Sequence, residues 1–284
     1  MSGVLGVLGD LVEDVVVWAD GPAARGTDTA ARIFRSRGGS AANVAATAAP
    51  LVPTRFLGCV GADALGDALV AQLAQAGVDV RVQRRGRTGS VVVLVEPDGE
   101  RTMLPDRAAA AHLQPLAAGD LDGVALLHAP AYGLDGGSTA DVLEDLLGRL
   151  PVSIDASSAA VLERLGPARV RALVERVRPV VLLANADEAR VLELGTRRIP
   201  AVTTVVKDGA RRTTVLHADG RVEQVDVPPG AVVRDSTGAG DAFAAGLLGA
   251  LLQGQGVGAG VVAGHALARQ VLASPGATTE KGST

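Results

Sequence analysis

The stretch Arg234-Asp235-Ser236-Thr237-Gly238-Ala239-Gly240-Asp241-Ala242-Phe243 leads straight into an apolar helical pattern that runs from Phe243 to Leu252. Gly238, Ala239 and Gly240 leave the backbone almost bare, so consecutive N–H groups can approach an anion at the first turn of that helix. The helix dipole adds to the attraction. Asp241 then stands where one carboxylate meets both a bound phosphate and the group that attacks it. A general base needs that position to take a proton from a hydroxyl during in-line phosphoryl transfer. A plain capped helix start uses the same residue types, so the stretch has to be read together with the rest of the chain.

Working outward, short apolar runs bounded by Gly, Asp or Pro recur at Val4 to Leu8, Thr54 to Val60, Val124 to His128, Val152 to Ile154, Val180 to Leu183 and Val202 to Val206. Such runs read as buried strands. Between them lie Ala/Leu-rich segments with helical spacing: Ser40 to Ala49, Leu65 to Ala76, Ser138 to Leu150 and Ala168 to Val177. The alternation predicts a doubly wound α/β fold with a mostly parallel sheet covered by helices on both faces. A different texture, β-rich and joined by turns such as Pro97-Asp98-Gly99, marks Asp14 to Ala19 and Val78 to Met103. It reads as antiparallel strands outside the main sheet, either an edge hairpin or a small β lid, from about 11–36 and 78–104, over the carboxyl edge of the sheet inside a single domain spanning 1–284.

The 284 residues are 48% hydrophobic, with 27 basic and 31 acidic side chains and a formal charge of −4. Disorder is excluded by the apolar content. No basic footprint exists for nucleic acid, and five aromatic residues cannot furnish a base-stacking surface for it. Cys59 is the only cysteine, which fits a reducing, cytoplasmic compartment. Met1 to Gly9 lacks the basic start of a signal peptide, so no export is expected. The uncharged stretch between Asp241 and Arg269 is long enough to span a bilayer, but glycines at 254, 256, 258 and 260 cut it, and it reads as two buried helices rather than a membrane span.

Five segments, in order, carry a resemblance. Asp235 to Phe243 resembles the C-terminal motif of the ribokinase-like (PfkB) family of sugar and nucleoside kinases. Gly9-Asp10-Leu11-Val12-Glu13-Asp14 resembles the family's first strand and its exit. Gly38-Gly39-Ser40-Ala41-Ala42-Asn43-Val44-Ala45 resembles its GG-x-x-x-N-x-A segment, and Gly58 to Gly66 the G-x-V-G-x-D-x-x-G that follows. Asn185-Ala186-Asp187-Glu188 matches N-x-x-E. Family glycine-lysine chemistry at the GG segment differs here, where Ser40 and Ala41 replace the Lys and Gly of ribokinases.

The resemblance implies an ATP-dependent kinase that phosphorylates a hydroxymethyl group of a small sugar, with a nucleoside or a 2-keto-3-deoxy sugar acid as the alternative acceptor. A non-catalytic sugar or nucleotide sensor on the same fold is the alternative from another class. Asp241 would be the base, with Gly238, Ala239 and Gly240 holding the transferred phosphoryl group. Asp14, Gly38, Gly39 and Asn43 would bind the acceptor, and Arg101 would meet a carboxylate if it has one. Asn185, Lys207, Gly209 and His265 would flank ATP, with Asn185 and Glu188 organising Mg²⁺ largely through water. Asp235 and Thr237 would sit beside a monovalent cation such as K⁺. Arg211 and Arg212 stand where the nucleotide loop departs from the family pattern and are candidates for ATP contact. Trp18 and Phe34 belong to the lid, whose exposed edges favour pairing in a homodimer.

Overall fold

A computed structural model describes residues 3–22, 24–95, 101–229 and 237–273. The chain lays down β1 (Val4–Leu8), β2 (Val12–Ala19), β3 (Ala31–Gly38), α1 (Ser40–Ala48), β4 (Thr54–Val60), α2 (Ala64–Gln75), β5 (Asp79–Arg84), β6 (Ser90–Val95) and β7 (Arg101–Asp106). It continues through β8 (Val124–Pro130), α3 (Gly137–Leu146), β9 (Val152–Asp155), α4 (Ala159–Leu165), α5 (Pro167–Val177), β10 (Val181–Asn185) and α6 (Ala186–Val191). The last elements are β11 (Thr204–Lys207), β12 (Thr213–Leu216), β13 (Val222–Val225), α7 (Ala239–Leu252) and α8 (Val257–Leu272).

Nine strands form one sheet in the order β13-β12-β11-β10-β9-β8-β1-β4-β5. Pairing is parallel from β11 to β5, and only β12 and β13 run antiparallel. The central strands are largely apolar because both faces are covered. In β10, Val181 and Leu183 point into one buried cluster while Leu182 and Ala184 point into the other. The first cluster is built with α1, α2, α7 and α8, and the second with α3 to α6. Helix α7 is buried from Ala242 to Leu252, since it packs on α1 and α8 as well as on the sheet. Among the described residues no helix is long and apolar enough to cross a membrane.

A second sheet of four strands, β3-β2-β6-β7, forms the lid. Its β2–β3 and β6–β7 pairs are antiparallel, whereas β2 and β6 run parallel. The sequence reading placed 78–104 in this lid as a whole. That is corrected at its start: Asp79–Arg84 pair in parallel with β4 at the edge of the large sheet. The turn at 97–99 lies outside the described residues.

The two lid segments are clamped where they meet the large sheet. Asp10, just before β2, accepts two hydrogen bonds from Arg107, just after β7, at 2.7 and 2.8 Å. Arg107 also donates to the carbonyl of Asp135 at 3.0 Å. Bidentate pairing of this kind is directional as well as strong, and both side chains are mostly buried.

Candidate active site

In a parallel sheet every strand ends at the same edge, so the residues that close β9, β10 and β11 come together: Asp155, Asn185 and Lys207. Asn185 and Lys207 are register partners. The lid arches over this edge, and between the two lies a cleft of about 1570 Å³. That volume exceeds the roughly 300–1,000 Å³ of a pocket for one drug-sized ligand, so the cleft has room for two reactants side by side.

Helix α7 begins on the cleft floor. Gly238 caps it with φ of 76°, a left-handed conformation that a side chain would strain. Asp241, in the first turn, is held by two donors from α1: Ser40 Oγ at 2.7 Å and Asn43 Nδ2 at 3.0 Å. Packing of α7 on α1 is what brings these groups together. Arg37, on the last turn of strand before α1, donates to Asn43 Oδ1 at 3.1 Å. Burial pushes the Asp241 carboxyl up to about 6, against the hydrogen bonds from Ser40 and Asn43 that favour its charged form. A carboxyl poised near neutrality and open to a cleft suits proton abstraction.

On the lid side, Asp14 is likewise pushed up to about 6, by burial and then by the charge of Asp241, with Arg37 opposing. Burial lowers the Arg37 guanidinium, while Asp14 and Asp241 raise it. Gly38 is required here for a specific reason: a Cβ at that position would sit 2.0 Å from Asp14 Oδ1. Gly39 similarly leaves its space to the carbonyl of Asp10, 2.2 Å from where its Cβ would be. Arg101, on β7, donates to Thr237 Oγ1 beside the anion turn and so reaches across from the lid to the floor.

At the other end of the cleft Lys207 Nζ lies 3.2 Å from Asp155 Oδ2 and 5.7 Å from the centre of the Phe243 ring. Burial alone would lower this ammonium, but Asp155 and Glu188 outweigh it and the net shift is upward, so Lys207 is a permanent cation at the sheet edge. Asn185 and Glu188 form a complete capping box at the start of α6. Asn185 Oδ1 accepts from the amide of Glu188 at 2.9 Å, and Glu188 accepts from the Asn185 amide and side chain, both at 2.7 Å. Burial, then the charge of Asp155, pushes Glu188 up to about 7. His265 Nε2 is 2.8 Å from Thr213 Oγ1 and its ring lies 5.5 Å from that of Phe243, so it packs in the cleft wall. Gly209 also lines the cleft.

Most residues named from sequence therefore line one cleft: Asp14, Gly39, Asn43, Arg101, Asn185, Glu188, Lys207, Gly209, the turn 237–240, Asp241 and His265. Asp235, named for a monovalent cation, lies outside the described residues. Arg211 and Arg212, named as candidates for ATP contact, pair with Asp208 and Asp226 respectively and do not line the cleft. Sequence reasoning missed Arg37, Ser40, Tyr132 and Asp155. Asp155 had a usable signal, since it directly ends the apolar run Val152 to Ile154 at an edge where ligands bind.

With that geometry in place, comparison with known proteins is informative. A family model described as pfkB family carbohydrate kinase matches residues 5–282. An adenosine kinase from Schizophyllum commune is 30% identical over 272 residues, covering 82% of this chain and 78% of its own. A fructokinase from Klebsiella pneumoniae is 30% identical over 280 residues, covering 88% and 85%. The crystal structure of adenosine kinase from Sinorhizobium meliloti superposes with a TM-score of 0.84 at 20% identity, over 96% of this chain and 94% of that one.

Proposed function

The chain belongs to the pfkB family of carbohydrate kinases, and on that premise we propose that it moves the terminal phosphoryl group of ATP onto a primary hydroxyl of a small sugar or nucleoside held under the lid. The observation that supports this most is Asp241 at the first turn of α7, oriented by Ser40 and Asn43 and set directly after the 238–240 backbone turn. In this reading Asp241 takes the hydroxyl proton as the oxygen bonds to the terminal phosphorus and the bond to the leaving ADP oxygen breaks. The turn amides face the charge that the transferred group carries through the transition state. Asp14 accepts hydrogen bonds from neighbouring acceptor hydroxyls. Lys207 offsets phosphate charge from the sheet edge.

Family kinases use ATP, which brings Mg²⁺ with its phosphates. Among the described residues no cluster of three or more acidic, histidine or cysteine side chains forms a metal cage. The oxygen donors of Asp155, Asn185 and Glu188 nevertheless fit a hard cation that keeps most of its waters, and they are the residues that would hold it. Its chemistry there is to neutralise charge on the phosphates. The fold closes over the acceptor and excludes water, which otherwise competes for the phosphoryl group.

The test is ADP release with MgATP, with and without candidate acceptors. Release that depends on the acceptor supports the reading. ATP binding without acceptor-dependent ADP across sugars, keto sugar acids and nucleosides would favour a sensor instead.

Pairing of two lids in a homodimer belongs to the same reading. Ile33 and Leu104, on the lid face turned away from the cleft, are 61% and 53% exposed, and the lid has open edges. Sedimentation equilibrium is expected to give twice the chain mass, and a monomer at micromolar concentration would remove this part of the proposal.

The raised carboxyls also set a pH dependence. Asp241 and Asp14 must be ionised to act, so kcat/KM is expected to rise with pH through about 6. For stability the sign is opposite. A carboxyl whose pKa is raised by folding binds its proton more tightly in the folded chain, so its contribution is full below the unfolded value of 3.8 and is lost as pH rises through about 6. Asp241→Asn removes this titrating group, so the variant's Tm relative to the native chain is expected to rise as pH goes from 4 to 8. A thermal shift series across that range checks it.

A further inference from the structure

The register of the lid carries the choice of acceptor further, on the premise that the cleft transfers phosphoryl groups as proposed. Strand pairing sets the cleft-facing residues in rows that cross all four lid strands. The row nearest the large sheet runs Ser36–Asp14–Val91–Pro105. The next, two residues further along each strand and so about 6.6 Å away, runs Phe34–Val16–Val93–Met103. All four of its members line the cleft, none carries a hydrogen-bond donor, and the one acceptor among them is the weak thioether of Met103. Beyond it the row Arg32–Trp18–Val95–Arg101 continues the apolar surface on its two central strands and carries an arginine on each outer strand.

Phe34 and Met103 are 55% and 53% exposed, and Trp18 41%. Large apolar side chains turned towards a cleft rather than a core mark a surface that a ligand covers. Aromatic placement agrees. The chain has only five aromatic residues, yet Trp18, Phe34, Tyr132 and Phe243 all line this cleft, and only Phe56 does not.

From these rows we infer that the preferred acceptor is a nucleoside rather than a free sugar. A monosaccharide gripped at Asp14 would turn its remaining hydroxyls to the apolar row, where they lose water and gain no partner. A nucleoside presents hydroxyls on one edge of its ribose and a flat, largely apolar ring on the other, in the same order as the two rows. The base lies against Phe34, Val16 and Met103 by area and ring stacking, and the ribose hydroxyls meet Asp14.

The experiment measures ADP release from MgATP by the intact protein with adenosine, inosine, uridine and cytidine, against ribose, fructose and methyl riboside. The last keeps the closed ribose ring without a base. The best nucleoside is expected to exceed methyl riboside in kcat/KM by about a hundredfold or more. Phe34→Ser, and independently Met103→Thr, is expected to narrow that ratio about tenfold, mainly through the nucleoside KM. Trp18 is the only tryptophan, so its fluorescence gives a binding readout independent of turnover. Nucleosides are expected to change it at concentrations where free sugars do not. Turnover of free sugars as fast as nucleosides, or ratios unmoved in both variants, overturns the inference while leaving phosphoryl transfer intact. Acceptor-dependent ADP from neither class overturns the transfer reading itself, and this inference with it.

Discussion

Asp241→Asn is expected to lower kcat by about a thousandfold or more while the affinity for MgATP changes little. Positioned general bases contribute about 10²–10⁴ in rate, and Asp241 has the orientation on which such a contribution depends: Ser40 and Asn43 fix both of its oxygens. The amide keeps an oxygen for Ser40 but places an NH₂ against the Asn43 donor, so the substituted side chain also turns away from its native pose. The backbone turn ahead of it is untouched, which is why nucleotide binding survives. ADP release at saturating acceptor, beside calorimetric titration with a non-hydrolysable ATP analogue, separates the two quantities. A variant that retained more than a tenth of the native kcat would remove Asp241 from the role of base.

The second large effect is at Asp14. Its replacement by alanine is expected to reduce kcat/KM by about 10²–10³, chiefly by raising the acceptor KM. In the proposed pose the carboxylate accepts from two hydroxyls, and hydrogen bonds to charged groups contribute about 1.5–3 kcal/mol each. Gly38→Ala provides an independent route to the same defect. The added methyl would lie 2.0 Å from Asp14 Oδ1, so the carboxylate must move even though its chemistry is kept. Both variants are expected to share the raised acceptor KM and a near-native KM for ATP. If Gly38→Ala raised the ATP constant instead, the glycine would serve the nucleotide, and Asp14 would not be the acceptor's anchor.

The large sheet was legible because its strands are buried on both faces, and unbroken apolar runs such as Val181 to Ala184 announce that. Strand β5 misled for the converse reason. Asp79-Val80-Arg81-Val82-Gln83 alternates polar and apolar residues because it closes one edge of the sheet and is partly exposed. Alternation reports a half-covered face and is silent on which sheet owns the strand. The anion turn was legible because bare backbone can be read from glycine spacing alone. Arg37 and Ser40 were not: Ser40 gains its meaning from Asp241, 201 residues further on, and Arg37 from its place among Asn43, Asp14 and Asp241, while the signal of Asp155 was completed only by its pairing with Lys207. The placement of the aromatic residues was not legible either, for a related reason. A count taken over the whole chain says nothing about placement, and four of the five rings share one cleft.

The distance along the chain between Asp241 and the groups that orient it has a consequence for synthesis. Ser40 and Asn43 precede it by 201 and 198 residues. As the polypeptide emerges from the ribosome, the lid and most of the parallel sheet are already made while Asp241 is still unmade. Contacts of such long separation also form late in folding, after the entropy of closing a large loop has been overcome. If Asp241 is the base proposed above, a nascent or partly folded chain lacks the group that would activate an attacking oxygen. On that role, phosphoryl transfer waits for α7 to dock on α1, an event that requires nearly the complete fold.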